Sequence, residues 1–340
     1  MPNLQKSRLE KGGFFSKGIS LALCENPLPP IEEAIEAAKA ETVLSNYYTE
    51  PYSMRLKEKI SDYVKLPVES IHINAGSELI LRQLFTLFGK RVHLISPTYY
   101  LFEEIAEEKT HLFLDEKEDF LFDIRRLEIP DGTTLVVIVN PNNPTGAVMN
   151  IRENVTLIQK HPDTMFLIDE AFIEFGGETA TGLISKYKNI IVTRTFSKAF
   201  SLAGCRVGYA MATKKLIDHL NYHNDAYPLA RTAEAAALAT LEHVDKIKER
   251  AADLKNLTRS FASSLNDLGI NTYPSRTYFF LGKVPNMSAD EFAQALSERD
   301  IHIRSLHLEG LENKFLRFAT STSENNERVL NTVREILSEA

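Results

Sequence analysis

Short apolar runs and amphipathic segments alternate along the chain from about residue 52 to residue 241. Apolar residues at helical spacing predict helices over residues 52–64 and 77–87. Strands are predicted at residues 91–96, 134–139, 164–168, 189–193 and 206–212. The middle three runs are short and rich in β-branched residues, which is typical of buried parallel strands. The alternation predicts an α/β fold with a mostly parallel sheet flanked by helices.

The pattern changes after residue 241. A long charged helix is predicted over residues 241–268, and it leads into a smaller α+β unit. Three strands and two helices are predicted in that unit, at residues 277–284, 301–304 and 315–320 and at residues 289–298 and from 324 onward. The sequence therefore predicts three parts: an N-terminal arm (1–30), a large domain (31–241) and a small C-terminal domain (242–340).

A polar segment directly follows each of the three β-branched runs. These segments begin at Asn140, Asp169 and Thr195, and they read Asn-Pro-Asn-Asn-Pro-Thr-Gly, Asp-Glu-Ala-Phe and Thr-Phe-Ser-Lys. In an open α/β sheet, ligands bind beyond the carboxyl ends of the strands. Three polar segments in that position predict one shared site.

Lys198 is flanked by hydroxyl-bearing residues, and Arg206 follows eight residues later. A lysine amine can form a Schiff base with an aldehyde, and hydroxyls with a guanidinium can hold a phosphate. Pyridoxal 5'-phosphate carries both an aldehyde and a phosphate. The segment therefore predicts a site for this cofactor, although a lone Ser-Lys pair would indicate only a surface lysine in a loop.

Taken together, the three segments resemble the fold-type I, aspartate-aminotransferase-like family of pyridoxal-phosphate enzymes. They occur in the family's order, and the resemblance runs from about residue 21 to the C-terminus. The branch is similar to histidinol-phosphate aminotransferases together with threonine-phosphate decarboxylases. This resemblance implies a large domain built on a mostly parallel sheet, a smaller α+β C-terminal domain on which the arm packs, and a homodimer with shared active sites.

The resemblance also implies a role for each polar residue around the cofactor ring. Lys198 would bond to the cofactor and then act as a general base and acid. Asp169 would pair with the ring nitrogen, Asn143 would bond the ring oxygen, and Tyr99 would stack on the ring. The residues alone permit simpler roles, because Asp169 could cap a helix and Asn143 could belong to a turn.

A phosphate-binding element is predicted at Gly76, Ser77 and Glu78, immediately before an apolar helix. Small residues at a helix N-terminus expose backbone N–H groups to an anion, and the helix dipole favours negative charge there. The resemblance adds side chains to this element, which are those of Ser77, Ser197 and Arg206, with Thr195 as a weaker candidate. It also implies that Tyr48 reaches the phosphate of a neighbouring subunit, whereas an interface or core tyrosine is the simpler interpretation.

Two arginines of the C-terminal domain are candidates for binding the substrate anion. Arg317 lies within an apolar strand, where an unpaired arginine rarely has a purely structural role. It also matches the family's substrate-anion arginine. Arg304 is a candidate second clamp, with a surface salt bridge as its alternative. Asn143 would contribute to the substrate site as well.

The chain departs from the family pattern at a few positions, and these leave two reactions open. Phe172 stands where aminotransferases of this branch carry tyrosine and the decarboxylases carry phenylalanine. Ser77-Glu78 and Gly12-Gly13 also resemble the decarboxylases, whereas the segment beginning at Cys24 resembles the aminotransferase arm. The first hypothesis is amino transfer from an amino acid to a small anionic oxo compound, phosphorylated or not. The second is decarboxylation of a phosphorylated amino acid.

The composition limits the classes of partner and compartment. The 340-residue chain has a net charge of -7 and no long basic run, which argues against nucleic acid as a partner. It has no apolar run of about 18 residues and no signal-peptide core, which argues against a membrane span and for the cytoplasm. Cys24 and Cys205 form no Cys-x-x-Cys pair, and His219 and His223 lack a third ligand, so no metal site is predicted. Intact motif residues argue against a catalytically inactive relative.

Overall fold

The computed structural model describes residues 18–339. Residues 1–17 of the predicted arm, among them Gly12 and Gly13, lie outside the described residues. The strands β1 to β13 are, in order, Ile19–Ser20, Ile71–Asn74, Val92–Ser96, Lys109–Phe113, Leu135–Val139, Met165–Asp169, Ile190–Thr195, Gly208–Met211, Asn271–Thr272, Phe279–Lys283, Ile301–His302, Arg304–Ser305 and Phe315–Ala319. The helices α1 to α10 are Glu32–Thr42, Met54–Val64, Ser77–Phe88, Tyr100–Ile105, Val155–Lys160, Lys214–Tyr222, Arg231–Glu242, Val244–Asp267, Ala289–Ser297 and Ser323–Glu339.

Seven strands form the central sheet, in the order β2-β8-β7-β6-β5-β3-β4. Strands β7, β6, β5, β3 and β4 are parallel to one another, whereas β8 is antiparallel to both β7 and β2. The prediction of a mostly parallel sheet is confirmed. Because β8 follows β7 directly in the chain, the segment that contains Lys198 is the turn between these two antiparallel neighbours.

Strand β5 shows why the apolar runs are unbroken. Its side chains alternate between two hydrophobic cores, with Val136 and Ile138 in one and Leu135, Val137 and Val139 in the other. Both faces of the strand are therefore buried, and no position is left for a polar residue. Helix α3 packs against β7 and β8 and contributes to the second core. No helix in the described part of the chain is long and apolar enough to cross a membrane.

The C-terminal part contains a four-stranded antiparallel sheet in the order β12-β13-β10-β9. The single strand predicted at residues 301–304 is wrong, because the chain leaves one sheet and enters another at Ile303. Strand β11 pairs in parallel with β1 of the arm, whereas β12 pairs with β13. The single helix predicted at residues 241–268 is likewise divided, since α7 ends at Glu242 and α8 begins at Val244.

Candidate active site

The three polar segments meet at the carboxyl edge of the central sheet. Strand β5 ends at Val139, β6 ends at Asp169 and β7 ends at Thr195. These strands are parallel neighbours, so the segments that follow them emerge side by side, as the sequence predicted. The edge therefore collects Asn143, Asp169 and Lys198 from three separate stretches of the chain.

Asp169 carries a deeply buried carboxylate. The residue is 4% exposed, and its Oδ1 accepts hydrogen bonds from the Ala171 amide and the Thr193 hydroxyl, both at 3.2 Å. Among residues 18–339, no basic side chain forms an ion pair with it. Burial raises the pKa of Asp169 to about 6. A buried carboxylate in this condition would be stabilised by a cationic group on a ligand.

Lys198 lies in a mixed apolar and carbonyl environment. Its Nζ donates to the carbonyl oxygens of Leu23 at 3.2 Å and Cys24 at 3.0 Å, and it lies 5.4 Å from the centre of the Phe172 ring. Burial lowers the pKa of Lys198 to about 8. A larger share of the amine is therefore neutral near neutral pH, which is the form that attacks an aldehyde.

The arm holds the main chain of Lys198 as well as its amine. The Asn26 side-chain amide donates to the Lys198 carbonyl at 2.9 Å, and its oxygen accepts from the Leu28 amide at 3.0 Å. The sequence did not single out Asn26 as a site residue. The signal for it was the Asn-Pro pair at residues 26–27, because asparagine before proline favours a turn whose side chain bonds nearby backbone.

A cradle for an anion forms where α3 begins. A Cβ on Gly76 would lie 2.4 Å from Nη2 of Arg206, so only glycine leaves room for this guanidinium, and Gly76 has a φ of +88°. The Arg206 Nη1 is 3.5 Å from the Ser197 hydroxyl, which in turn is 2.9 Å from the Thr195 hydroxyl. The first N–H groups of α3, which begins at Ser77, have no partner within the helix. The structure thus brings the predicted phosphate-binding residues together.

Gly208 makes the cradle possible from the other side. A Cβ at this position would lie 2.1 Å from the Ser77 backbone nitrogen. Strand β8 therefore approaches the start of α3 at backbone distance, which a larger residue would prevent. From the sequence, Gly208 was predicted only as part of the strand at residues 206–212. A glycine within a strand is a signal that another backbone segment approaches the strand closely.

Glu78 and Tyr99 border the site with different degrees of burial. Glu78 forms an ion pair with Arg82 one turn along α3, at 2.9 Å. The Tyr99 ring packs edge-on against Tyr100. Burial, followed by the neighbouring Tyr100 and the carboxylates of Glu78 and Asp169, raises the pKa of Tyr99. Tyr99 is therefore neutral over the physiological range, and its ring lies near Asp169.

Arg317 is a buried guanidinium that lacks an acidic partner. It is 7% exposed, and it donates to the Asn143 side-chain oxygen at 2.8 Å and to the Ala22 carbonyl at 2.6 Å. Its buried Nε has no hydrogen-bond partner within the described part of the chain. Among residues 18–339, no carboxylate forms an ion pair with it. A buried positive charge with a free donor fits an anionic ligand group.

Arg304 lies directly opposite Arg317 in the antiparallel pairing of β12 and β13. Residues opposite each other in such a pair project from the same face of the sheet. The Arg304 guanidinium carbon lies 4.6 Å from the centre of the Tyr100 ring. The two arginines therefore place two positive charges on one side of the C-terminal sheet.

Tyr48 is the predicted site residue that the structure does not bring to the others. It is 79% exposed, and its ring stacks on Tyr227 with centroids 4.6 Å apart. Its carbonyl accepts a hydrogen bond from Arg231 at 2.9 Å. The side chain is thus held at the surface of its own subunit.

A buried ion pair stabilises the turn that follows Asp169, and it was not predicted from the sequence. Arg194 Nη2 lies 2.8 Å from the Glu170 carboxylate, and both side chains are buried. Glu170 also accepts from the Thr179 hydroxyl at 2.8 Å and from the Ala180 amide at 2.6 Å. Because Glu170 follows Asp169 in the chain, this network fixes the turn that carries the Asp169 carboxylate.

Comparison with known proteins settles the family. The sequence profile of the family described as aminotransferase class I and II matches residues 16–333. The chain belongs to this family. One relative is the histidinol-phosphate aminotransferase of Acinetobacter baumannii (strain SDF), which is 31% identical over 327 residues, or 92% of this chain and 89% of that protein.

Solved structures show that this aminotransferase has the predicted fold. The histidinol-phosphate aminotransferase of Clostridium acetobutylicum superposes with a TM-score of 0.85 at 24% identity, over 94% of this chain and 99% of that one. The enzyme of the same description from Sinorhizobium meliloti, in complex with pyridoxal-5'-phosphate, gives a TM-score of 0.83 at 22% identity, over 98% and 94%. The prediction of an aspartate-aminotransferase-like, fold-type I architecture is confirmed.

This aminotransferase depends on pyridoxal 5'-phosphate, and the residues at the carboxyl edge of the sheet fit that cofactor. The uncompensated carboxylate of Asp169 suits a protonated ring nitrogen, and the cradle between Gly76 and Arg206 suits a phosphate. When bound, the cofactor supplies an aldehyde that a lysine can hold and a ring that withdraws electrons from the amino-acid carbon.

Proposed function

We propose that this aminotransferase exchanges an amino group between an amino acid such as glutamate and a small phosphorylated oxo compound, with histidinol phosphate as the amine of that pair. The observation that carries the proposal is Arg317, whose buried guanidinium has no carboxylate partner among residues 18–339. Arg304 adds a second positive charge on the same face. The names of the relatives support a phosphorylated amine as the substrate.

In this proposal, the residues that bind the cofactor surround Lys198 and the cradle at the start of α3. Asp169 would pair with the ring nitrogen, Tyr99 would contact the ring face, and the Asn143 amide, whose oxygen accepts from Arg317, would bond the ring oxygen. The full set of cofactor-binding residues is Tyr48, Gly76, Ser77, Glu78, Tyr99, Asn143, Asp169, Ser197, Lys198 and Arg206.

The proton transfers in the proposal depend on the amine of Lys198. Because burial lowers its pKa to about 8, the amine accepts a proton near neutral pH and can return it in the next step. The carbonyls of Leu23 and Cys24 orient the amine while it is not bonded to the cofactor. Asp169 would pair with the ring nitrogen of the bound cofactor and keep that nitrogen protonated.

The assembly in the proposal is a homodimer with shared active sites. Tyr48 is exposed and does not meet the cradle of its own subunit, so it would reach the phosphate of a second subunit. Exposed apolar residues around it support a subunit interface on this face, and they include Val43, Tyr47, Tyr52 and Met54. The proposal also includes a cytoplasmic location and a division into arm, large domain and small domain at residues 30 and 241.

An absorbance titration of the purified enzyme tests the proposed substrates. Addition of L-glutamate should convert the cofactor spectrum to that of its amine form, and histidinol phosphate should do the same. Histidinol without phosphate should bind at least tenfold more weakly, because it lacks the anion for Arg317. If histidinol phosphate leaves the spectrum unchanged while other amines are accepted, the proposed substrate is wrong.

Two controls separate amino transfer from the alternative reaction. Lys198→Ala should retain the fold but yield no peptide covalently labelled with cofactor after borohydride reduction. Phe172 gives the decarboxylase hypothesis its support, since it leaves the ring oxygen without the phenol found in aminotransferases. Release of carbon dioxide from a phosphorylated amino acid, without any spectral response to glutamate, would replace amino transfer by decarboxylation.

A further inference from the structure

Two side chains share the carbonyl oxygen of Cys24. Lys198 Nζ donates to this oxygen at 3.0 Å, and the Tyr278 hydroxyl donates to the same atom. Cys24 is buried and has a φ of +48°, a backbone conformation that non-glycine residues adopt only where the surrounding structure holds them. The arm is therefore held in an unfavourable turn at the point where it meets the lysine.

Tyr278 is well placed to hold that turn. Its side chain is fully buried immediately before β10, and its ring packs against Phe175 at 4.7 Å and Phe172 at 6.0 Å between centroids. This aromatic packing fixes the ring and directs the hydroxyl at the arm. Burial raises the pKa of Tyr278, so the phenol keeps its proton and remains a hydrogen-bond donor.

The amine of Lys198 takes its hydrogen-bond partners in the described chain from the arm. These are the carbonyls of Leu23 and Cys24. The nearest aromatic face is Phe172, which offers no hydroxyl. The position of the amine thus depends on where the arm carbonyls lie, and one of these is held by Tyr278.

We propose that Tyr278 is a positioning residue for Lys198. The Tyr278 hydroxyl controls the position of the Lys198 amine through the Cys24 carbonyl that both groups contact. The phenol hydrogen fixes the arm turn and also competes for the lone pairs that would stabilise a charged amine. Both effects favour a buried, neutral amine that is held against the arm. The inference deepens the proposed function, because it rests on Lys198 as the residue that bonds the cofactor.

The matched variants are Tyr278→Phe and Tyr273→Phe. Each removes one buried phenol oxygen and keeps the ring, but the Tyr273 hydroxyl donates to Glu116 instead of the arm. A general effect of losing a phenol in the C-terminal sheet would therefore appear in both variants. An effect transmitted through Cys24 would appear only in Tyr278→Phe.

The measurement is the pH dependence of acetylation of Lys198 in the full-length chain freed of cofactor, followed by peptide mass spectrometry. Tyr278→Phe should raise the pKa of the Lys198 amine by about half a unit or more. The Cys24 carbonyl becomes a better hydrogen-bond acceptor for the amine, and the arm shields the amine less from water. The neutral fraction of the amine at pH 7.5, read from the normalised pH profile, should then fall roughly threefold. Tyr273→Phe should match the unmodified protein.

Hydrogen exchange of residues 21–28 gives a second measurement on the same proteins. Exchange in this segment should be faster in Tyr278→Phe and unchanged in Tyr273→Phe. An unaltered pKa of Lys198 in Tyr278→Phe overturns the inference, as does an equal change in both variants. The proposed function fails separately, if the unmodified enzyme transfers no amino group while the pKa of Lys198 still responds to Tyr278.

Discussion

Arg317 Nη1 donates to the side-chain oxygen of Asn143 at 2.8 Å, and this bond joins the C-terminal sheet to the loop that follows β5. Asn143 is a proposed cofactor contact and Arg317 a proposed substrate contact. The bond therefore couples the two binding functions through one amide group. The Asn143 oxygen is occupied by Arg317, so its NH₂ group is the part left to donate to a ligand.

Arg317→Gln should weaken binding of the anionic substrate far more than it slows the reaction. The loss of a charge-assisted contact should raise KM by about 10- to 100-fold. Steady-state kinetics with histidinol phosphate measures this. Arg334→Gln is the control, because Arg334 is exposed on α10 and donates to the neighbouring Asn331 side chain. A drop in kcat with an unchanged KM would contradict the assignment of Arg317 to substrate binding.

Asp169→Asn should stabilise the cofactor-free protein at neutral pH while abolishing activity. The pKa of Asp169 is raised to about 6 in the folded chain, from an ordinary value of 3.8. A carboxyl with a raised pKa costs nothing at low pH, and it costs stability progressively as the pH rises from about 4 to about 6. The variant should therefore gain on the order of 2–3 kcal/mol in the free energy of unfolding at pH 7.5.

Thermal denaturation of the cofactor-free protein at pH 4.5 and pH 7.5 measures this gain. The difference in Tm between Asp169→Asn and the unmodified chain should be a few degrees at pH 7.5 and much smaller at pH 4.5. Equal differences at both pH values would mean that the carboxylate is not destabilised by burial. Activity should fall at least about a hundredfold, because a neutral amide does not hold a protonated ring nitrogen.

The sheet could be predicted because its central strands leave little choice. Strand β5 is buried on both faces, so residues 135–139 are apolar throughout and no helical period fits them. The failure at residues 301–304 has the opposite cause. Ile301 and Ile303 continue one alternating pattern, but the residues on either side of Ile303 pair with different strands. A local pattern records burial and does not record which strand is the partner.

The parts of the candidate site that consist of side chains could be predicted from the sequence, and the parts that consist of backbone groups could not. Asp169 and Lys198 stand out because polar groups follow buried strands. The carbonyls of Ala22, Leu23 and Cys24 do not stand out, although they accept from Arg317 and Lys198. Every residue has a carbonyl, and which one faces a lysine is decided by how the arm packs on the rest of the chain.

Phe172→Tyr should lower the pKa that is read from the absorbance of the cofactor-loaded enzyme. Phe172 is buried beside Lys198, three residues after Asp169. A phenol at this position would donate to the ring oxygen and stabilise its anionic form. Phe261→Tyr is the control, because it adds a phenol to a buried aromatic cluster with Phe280 and Phe318, away from Lys198 and Tyr278. No movement of the spectral pKa would mean that residue 172 does not face the ring oxygen.

Arg194→Met should destabilise the protein by about 3–5 kcal/mol, because it leaves the buried carboxylate of Glu170 without its cation. Urea denaturation at pH 7.5 measures the change in the free energy of unfolding. Adding Glu170→Gln to the same chain should recover part of the loss, since the unpaired charge is then removed. Arg125→Met breaks an exposed ion pair with Asp123 and should have little effect. If the Arg194→Met protein is as stable as the unmodified chain, the ion pair with Glu170 does not stabilise the fold.

Tyr48→Phe should weaken cofactor binding in the assembled enzyme by about tenfold, because one hydrogen bond to a phosphate is lost. The side chain is exposed on its own subunit and stacks on Tyr227, so the effect requires a second subunit. Tyr222→Phe is the matched control, since Tyr222 is also exposed and its ring contacts His223.

Cofactor affinity measured over a dilution series, with light scattering to follow the oligomeric state, tests this dependence. The difference between Tyr48→Phe and the unmodified chain should disappear at concentrations where only monomer is present. If monomer and dimer bind the cofactor equally well, Tyr48 does not act across an interface. The exposure of Tyr47 and Tyr52 would then be explained by subunit packing alone. Burying their rings stabilises an interface without any contact with the cofactor.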